Sequence, residues 1–424
     1  MKFQSTLKRL CLAAGFVFSS AALPAQDSGA LLDILIKKGI LTNQEAEDVR
    51  ADLIRDSNTI PAHAMGGGKS TDRLSVGMRL QTQYANLGTE IRGNPVNPVP
   101  TDHFYLRRAY LTLKAGVGGD WGAQFTYDFA GGSYDDAIIQ WKPTSDLQFD
   151  FGLRKVNVAY EERASSGDIK AIERSTVTRY FVESNNGRRL GAASYRIGAF
   201  LDGKRELNSQ VNFVYSAAVT SPERNEGGTA AAGAGDATSN HVAFWGNAGL
   251  AGKLANNGTW IAGVGAGFEP DQGGFGTANL GKGFDLTLYS IYTNVTMGRF
   301  GFMGEYLTAK VERGSSFANT DATPKGFYLQ PTFLVTDTVE AVVRYAYLDS
   351  DHRGVNLSDV VKAGPGGGVM NKVTEWYAGG NWYLRAADLK YQLGLVYAKS
   401  RDTLTGASAE AKSFGVRSQM QLQF

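Results

Sequence analysis

The sequence FGVRSQMQLQF, at residues 414–424, alternates apolar and polar side chains over nearly its whole length. The apolar members are Phe414, Val416, Met420, Leu422 and Phe424, and the polar members between them are Arg417, Gln419, Gln421 and Gln423. Successive side chains of a β-strand point to opposite faces of its sheet, so the pattern predicts a strand with one apolar and one polar face. The same alternation recurs at residues 389–397 and 339–347.

The connections between such runs are short and long in turn. Short turns are predicted at residues 118–119, 142–146, 202–206, 256–258, 298–299, 336–337 and 385–388. Longer polar loops are predicted near residues 86–102, 156–187, 220–239, 270–282, 314–323, 350–371 and 401–410, with a brief one at 131–133. These connections separate sixteen strands, and no helix is expected after Arg73.

A soluble β-sandwich would also alternate, so the connections decide the class. Tight turns at one end and long loops at the other are typical of a membrane β-barrel, whose closure pairs every strand edge that lipid would leave unsatisfied. An aromatic last residue such as Phe424 is a feature that the barrel-insertion machinery of bacterial outer membranes reads. The sequence contains no run of 18 apolar residues, so no transmembrane helix is predicted. The predicted fold is all-β, a sixteen-stranded antiparallel transmembrane β-barrel over residues 71–424 that encloses a water-filled lumen.

The first 70 residues differ from this pattern. Three cationic residues precede an apolar run at residues 10–23, which predicts a signal peptide over residues 1–25 that is cleaved after Ala22 or Ala25. The protein is therefore expected in the outer membrane of a Gram-negative cell. Residues 26–70 show two short helical patterns and a glycine linker. They predict a periplasmic helical hairpin, and a coiled-coil tether that helps the protein to trimerise is the alternative.

Charge and residue spacing argue against other classes of protein. A formal net charge of +2 does not favour nucleic-acid binding. The histidines are isolated in loops or at strand ends, no pair of them has metal-ligand spacing, and no G-x-S-x-G nucleophile motif is present. They are His63, His103, His241 and His352. We therefore expect no enzyme, no cofactor and no metal.

Residues 103–175 resemble the family of phosphate-selective porins O and P. The resemblance rests on FYLRRAYL at 104–111, DW at 120–121, YDF at 127–129, YDDA at 134–137, FG at 151–152 and AIERS at 171–175. Weaker agreement follows at 187–191, 380–383 and 417–424. The resemblance implies a homotrimer of sixteen-stranded barrels in which the third loop, here roughly residues 156–182, folds into the pore and forms a cationic constriction.

The resemblance also assigns candidate residues. The candidate pore-lining and anion-binding positions are Arg79, Arg107, Arg108, Tyr110, Asp135, Arg154, Lys155, Glu162 and Arg163. Guanidinium groups offer forked donors to phosphate oxygens and stay charged at physiological pH. This chain departs from the family where Glu162 takes the place of a lysine and Lys155 that of an aromatic residue. Arg154, Lys155 and Arg163 can compensate for that exchange of charge.

Strand alternation separates the two adjacent arginines of this set. Arg108 and Tyr110 share the polar side of their strand, whereas Arg107 shares a side with Leu111. Either a β-bulge turns both arginines inward, or Arg107 lies at the pore mouth or the subunit interface.

Passive diffusion of small anions, phosphate or polyphosphate in particular, is the function that this pattern favours. A general porin, or one that tolerates carboxylates and sugars, is the alternative if Glu162 removes the selectivity. A structural or adhesive barrel is the alternative of another class, and an outer-membrane hydrolase ranks last. The expected partners are small inorganic anions, outer-membrane lipid and lipopolysaccharide, and further copies of the chain in a homotrimer.

Overall fold

The computed structural model describes residues 59–60, 71–92, 100–182, 190–222, 241–254, 258–275, 281–316, 319–355, 370–404 and 409–424. The chain divides into two compact units, Met1–Arg50 and Ala51–Phe424, and all of these residues belong to the second. The predicted signal peptide and N-terminal helices lie outside the described residues. A two-residue strand, Thr59–Ile60, pairs with Ser75 and Leu74.

Sixteen further strands form one antiparallel sheet that closes on itself. In chain order they are β1 Thr71–Ile91, β2 Thr101–Val117, β3 Trp121–Asp128, β4 Ser133–Thr144, β5 Leu147–Lys155, β6 Tyr195–Asn208, β7 Val211–Thr220, β8 Ala243–Lys253, β9 Thr259–Glu269, β10 Leu286–Met297, β11 Phe300–Val311, β12 Lys325–Leu334, β13 Val339–Asp349, β14 Lys372–Arg385, β15 Leu389–Arg401 and β16 Glu410–Gln423. Strand β16 pairs with β1 over its length, from Ala411↔Ile91 to Gln423↔Arg79. The predicted closed barrel is confirmed.

The two faces of the sheet show why the barrel suits a membrane. Inward-facing Gln81 and Gln421 are 0% exposed, whereas outward-facing Phe414 and Leu422 are 59% and 44% exposed. A soluble sandwich would bury the apolar face, so the observed polarity is the reverse of a sandwich and matches a barrel surrounded by lipid. Side-chain hydrogen bonds also link the two strands that close the barrel, because Gln81 Nε2 donates to Gln421 Oε1 at 2.6 Å.

The observed connections alternate as predicted, but the predicted turn at residues 202–206 is wrong. Strand β6 runs through these residues, and the turn follows Asn208 instead. The Oδ1 of Asn208 accepts hydrogen bonds from the backbone N–H groups of Gln210 at 2.9 Å and Val211 at 3.0 Å. Asp202 faces the lumen, where it binds Arg154 at 2.6 Å. Polarity alone does not distinguish these lumen-facing residues from a polar turn. The first loop also starts later than predicted, after Ile91.

The expectation of no helix after Arg73 is wrong as well. The connection between β5 and β6 contains α1 Tyr160–Arg163 and α2 Thr176–Val182. A 3-10 helix, Asp351–Arg353, follows β13. These helices are too short for the periodicity of a sequence to reveal them. In the part of the chain that the structure describes, no helix has the length and apolar character needed to cross a membrane.

Candidate functional site

The third loop connects β5 and β6, and its described residues, 156–182 and 190–194, lie inside the barrel. The Val158 carbonyl accepts a hydrogen bond from Ser290 Oγ of β10 at 2.8 Å. Farther along the loop, the Gly167 carbonyl accepts one from Lys390 Nζ of β15 at 2.7 Å. Ser290 and Lys390 are buried, inward-facing residues of the barrel wall. The loop therefore leaves β5 and runs along the inner wall on the other side of the lumen.

An apolar part of the loop is packed against the wall. Tyr180 and Phe181 of α2 are completely buried, and so are the inward-facing apolar residues around them. The wall contributes Leu286, Leu288, Leu307, Tyr328, Leu348 and Val373. Burial of a large apolar side chain contributes about 1.5–3 kcal/mol. This part of the lumen is filled by side chains, so solutes would pass elsewhere.

Glu173 of the loop joins two arginines. Its carboxylate binds Arg107 at 2.6 Å and Arg179 at 3.2 Å, and its own side chain is only 2% exposed. Burial alone would raise the pKa of Glu173, but the charge of Arg107 and the hydrogen bonds from it lower that pKa well below its usual range. The loop is thus tied to β2 by a buried, charged contact.

A second buried ionic group ties the loop to β13 and β14. Arg344 lies 3.4 Å from Glu161 of the loop and 2.8 Å from Glu375 of the wall. Glu161 also accepts hydrogen bonds from the Ser175 backbone N–H at 3.0 Å and hydroxyl at 2.9 Å. Buried charges are costly unless they are paired and hydrogen bonded, so these contacts fix the conformation of the loop.

A β-bulge directs both arginines of the pair at 107–108 inward. Gln81 of β1 pairs with Arg108 and Thr82 pairs with Leu106, which leaves Arg107 without a partner in the ladder. The extra residue rotates the strand, so that Arg107 reaches Glu173 while Arg108 Nη1 donates to Gln81 Oε1 at 2.7 Å. Of the alternatives that alternation left open, the structure shows the bulge.

Glu162, the departure from the family pattern, is enclosed by cations. It lies 3.2 Å from Lys155 Nζ and 3.0 Å from Arg174 Nε. Ser194 donates a further hydrogen bond to its carboxylate at 3.3 Å. Its negative charge is therefore compensated by the protein itself. Arg154 is likewise paired, with Asp150 and Asp202.

Three arginines of the candidate set have neutral partners instead. Arg79 donates to the hydroxyls of Ser165 at 2.8 Å and Ser166 at 3.0 Å. Arg108 donates to Gln81, as described. Arg163 donates to the amide oxygen of Asn157 at 2.6 Å. Its guanidinium also lies over the rings of Tyr160 and Tyr292. Among the described residues, none of the three lies within ion-pair distance of a carboxylate.

Residues 75–424 match the family of phosphate-selective porins O and P. The chain belongs to this family. Its family and its fold are those of an outer-membrane porin, a channel rather than an enzyme.

Solved porin structures have a similar fold. The outer membrane channel DcaP of Acinetobacter baumannii has a TM-score of 0.50 and 13% identity, with 84% of this chain and 99% of that chain covered. An anion-selective porin from Comamonas acidovorans has a TM-score of 0.50 and 12% identity, with 82% and 99% covered. The trimer form of OmpT from Vibrio cholerae has a TM-score of 0.49 and 14% identity, with 82% and 98% covered. At these identities the likeness to the two structures with a TM-score of 0.50 shows the fold alone. No curated protein matches the chain.

Two candidate residues of the porin, Tyr110 and Asp135, lie near the cations of the site but form no ion pair among the described residues. Tyr110 of β2 is half-buried beside the Arg79 guanidinium, which lies 5.7 Å from its ring centre. Asp135 of β4 is also half-buried and acts electrostatically on Tyr110. They place one aromatic and one acidic group near the cations.

Several residues that hold the loop of the porin were missed by the sequence analysis. They are Ser290, Glu305, Arg344, Glu375 and Lys390. Each is a polar or charged residue at a position that faces inward by strand alternation. That inward position is the signal in the sequence that could identify it. Which loop residue each one binds depends on how the loop folds, which strand alternation does not specify.

Proposed function

We propose that the porin lets small anions, phosphate among them, diffuse passively through a constriction between the third loop and the barrel wall. The observation that carries this proposal is that the described glutamates of the loop are paired with cations, whereas several arginines nearby are not paired with acids within the described residues. Three glutamates in the described part of the loop, Glu161, Glu162 and Glu173, each contact one or more cations. Three arginines nearby have only neutral partners among the described residues. Among these glutamates and arginines, the charge that remains uncompensated is positive.

These three arginines have different roles in the proposal. Arg108 is 4% exposed, so it acts through its field. Arg79 and Arg163 are half-buried, so part of each side chain is open to a solute. A cationic patch between low-dielectric walls raises the local anion concentration, and forked guanidinium donors match phosphate oxygens. Because each site is a single guanidinium, an ion is held weakly enough to leave again.

The enclosure of Glu162 favours an anion channel over a general porin. A carboxylate open to the lumen would repel anions, but this one faces Lys155 and Arg174. Asp135 is the acidic group of the set for which no paired cation is found within the described residues, and it can keep anion binding from becoming too tight.

We also propose that the porin is exported by a cleaved signal peptide and forms a homotrimer in a membrane that contains lipopolysaccharide. An outward polar strip supports the trimer. Thr82 and Asn86 of β1 are exposed and Ser418 of β16 is half-buried, between apolar Leu80 and Phe414 on the same face. Polar groups facing lipid are unfavourable, and a second copy of the chain would cover them.

Phosphate titration in planar bilayers tests the selectivity. Chloride conductance of the wild-type porin should be blocked by low phosphate. Arg163→Gln should weaken the block by about tenfold or more, since a hydrogen bond to a charged group contributes about 1.5–3 kcal/mol. Arg299→Gln is the matched control, because that arginine is exposed and pairs with Asp337, which does not belong to the loop. Anion-selective conductance without a phosphate block would show a broader anion porin, and a preference for cations would overturn the proposal.

A further inference from the structure

We propose that the outward face of β15 and β16 binds a phosphate group of lipid A, at the end of the barrel that carries the long connections. The site is a cationic cluster formed by Lys399 and Arg401 of β15 and Lys412 of β16. Their neighbours Ser400 and Ala411 are completely buried inward-facing residues, so alternation places the three cations outward. The inference rests on the proposed location in a lipopolysaccharide-containing membrane and not on anion selectivity.

The three cations converge on one carboxylate. Glu410 lies 2.6 Å from Lys399 Nζ, 3.4 Å from Arg401 Nε and 3.3 Å from Lys412 Nζ. Lys399 and Lys412 are also direct partners across the two strands. Like charges placed opposite each other destabilise a sheet, and a single glutamate compensates only one of them. The cluster therefore retains positive charge for an external anion.

The surrounding charges do not remove this surplus. Lys372 of β14 lies opposite Arg401, and Lys372 forms an ion pair with Asp349 at 3.4 Å. Glu90 of β1 lies opposite Lys412. Exposed Arg92 follows β1, and its backbone N–H donates to the Glu410 carbonyl at 2.8 Å. The cations around Glu410 thus still outnumber the acids.

The position of the cluster selects a lipid phosphate over a soluble one. Tyr397 and Phe414, each two residues nearer the middle of its strand, face outward and are 36% and 59% exposed. Outward aromatic residues of a barrel mark the border between hydrocarbon and head groups. Cations directly beyond that border lie where the phosphates of lipid A are found, above acyl chains that the aromatic rings contact.

Two cations at the other end of the barrel each have an acidic partner of their own. Arg299 pairs with Asp337 at 3.4 Å, and Lys204 pairs with Asp146 at 3.2 Å. Each of these cations faces one acid, so neither pair leaves a surplus. These residues supply a matched set of controls.

Native mass spectrometry of the detergent-solubilised porin with added bisphosphorylated lipid A tests the inference. The triple variant Lys399→Gln, Arg401→Gln, Lys412→Gln should bind lipid A roughly a hundredfold more weakly, given about a fivefold effect per basic residue near a charged lipid surface. Glu410→Gln keeps the cations, removes the competing carboxylate and should bind lipid A more tightly. The control variant Lys204→Gln, Arg299→Gln should match the wild type.

The opposite signs of the two cluster variants separate binding from folding. Unchanged lipid A binding by the triple variant would overturn the inference, and so would weaker binding by both the triple variant and Glu410→Gln. Dissociation of the oligomer with unchanged lipid A binding would also overturn it, by showing that the cations bind a partner subunit. Equal loss of phosphatidylglycerol binding would show a general anionic-lipid surface and overturn the assignment to lipid A. Anion selectivity is measured in bilayers without lipid A, so its failure would leave this result unaffected.

Discussion

Replacement of Glu173 by glutamine should release the third loop from the barrel wall. Arg107 and Arg179 both bind the Glu173 carboxylate, and these three side chains are 16%, 4% and 2% exposed respectively. The variant removes one negative charge and leaves two guanidinium groups in a largely buried site. Breaking a buried ion pair by removing one partner costs about 3–5 kcal/mol. The barrel itself is held by sixteen strand pairings, so the cost should fall on the loop.

Hydrogen exchange measures this release directly. With about 1.4 kcal/mol for each factor of ten, exchange of the loop amides should accelerate roughly a hundredfold to a few thousandfold. The amides of Thr178 and Arg179 are suitable reporters, because each donates to Ser175 within the loop. Amides of β15 should not change. A noisier single-channel current is expected alongside.

The control is an exposed pair of the same chemistry. Asp337→Asn breaks the contact between Asp337 and Arg299. The Arg299 side chain is 55% exposed and that of Asp337 is 70% exposed. Exposed ion pairs contribute only about 0–1 kcal/mol to stability. The double variant Glu173→Gln, Arg107→Gln should recover part of the protection, because one stranded charge is removed. Unchanged loop exchange in Glu173→Gln, or equal acceleration in loop and strands, would refute the view that this ion pair docks the loop.

Further predictions concern the same loop. Glu162→Gln should strengthen anion selectivity, because its two cationic partners lose their counter-charge, and an unchanged reversal potential would contradict this. Gly167→Ala should lower phosphate block, since an added Cβ would lie 2.8 Å from Arg79 Nε and displace that guanidinium; unaltered block would argue against a role for Arg79. Because the pKa of Glu173 in the folded protein is lower than its ordinary value of 4.5, Glu173 stabilises the docked loop fully when the pH is above 4.5. This stabilisation is lost as the pH falls through the lower pKa of the folded state. Conductance should therefore stay constant from about pH 7 to pH 5, and a change within that range would contradict the assignment.

The barrel was predictable because its signals are local. Alternating polarity within a run such as residues 414–424 and the rhythm of connections both lie within a few residues of each other in the chain. The error at residues 202–206 arose because a lumen-facing aspartate looks like a turn residue when only its polarity is considered. A water-filled barrel places polar groups on its inner face, so polarity alone does not separate the inner wall from a turn.

The candidate site was predictable only in part. The adjacent arginines 107 and 108 could be assigned to the wall, but the bulge that turns both inward is defined by the pairing of Gln81 and Thr82 across the strands. The partner of Glu162 depended on the path of the third loop. Residues such as Arg344, which contacts Glu161 from 183 positions farther along the chain, show why. Such contacts follow from tertiary structure and have no signature in the local sequence.

The reversal potential of the wild-type porin in a planar bilayer under a KCl gradient tests the central claim most directly. Because the three described glutamates of the third loop are paired while Arg79, Arg108 and Arg163 have neutral partners among the described residues, the potential should have the sign of a chloride-selective channel. It should shift towards zero when Arg79 and Arg163 are both replaced by glutamine. A cation-selective potential, or no conductance from correctly folded protein, would contradict the claim that this barrel is an anion channel.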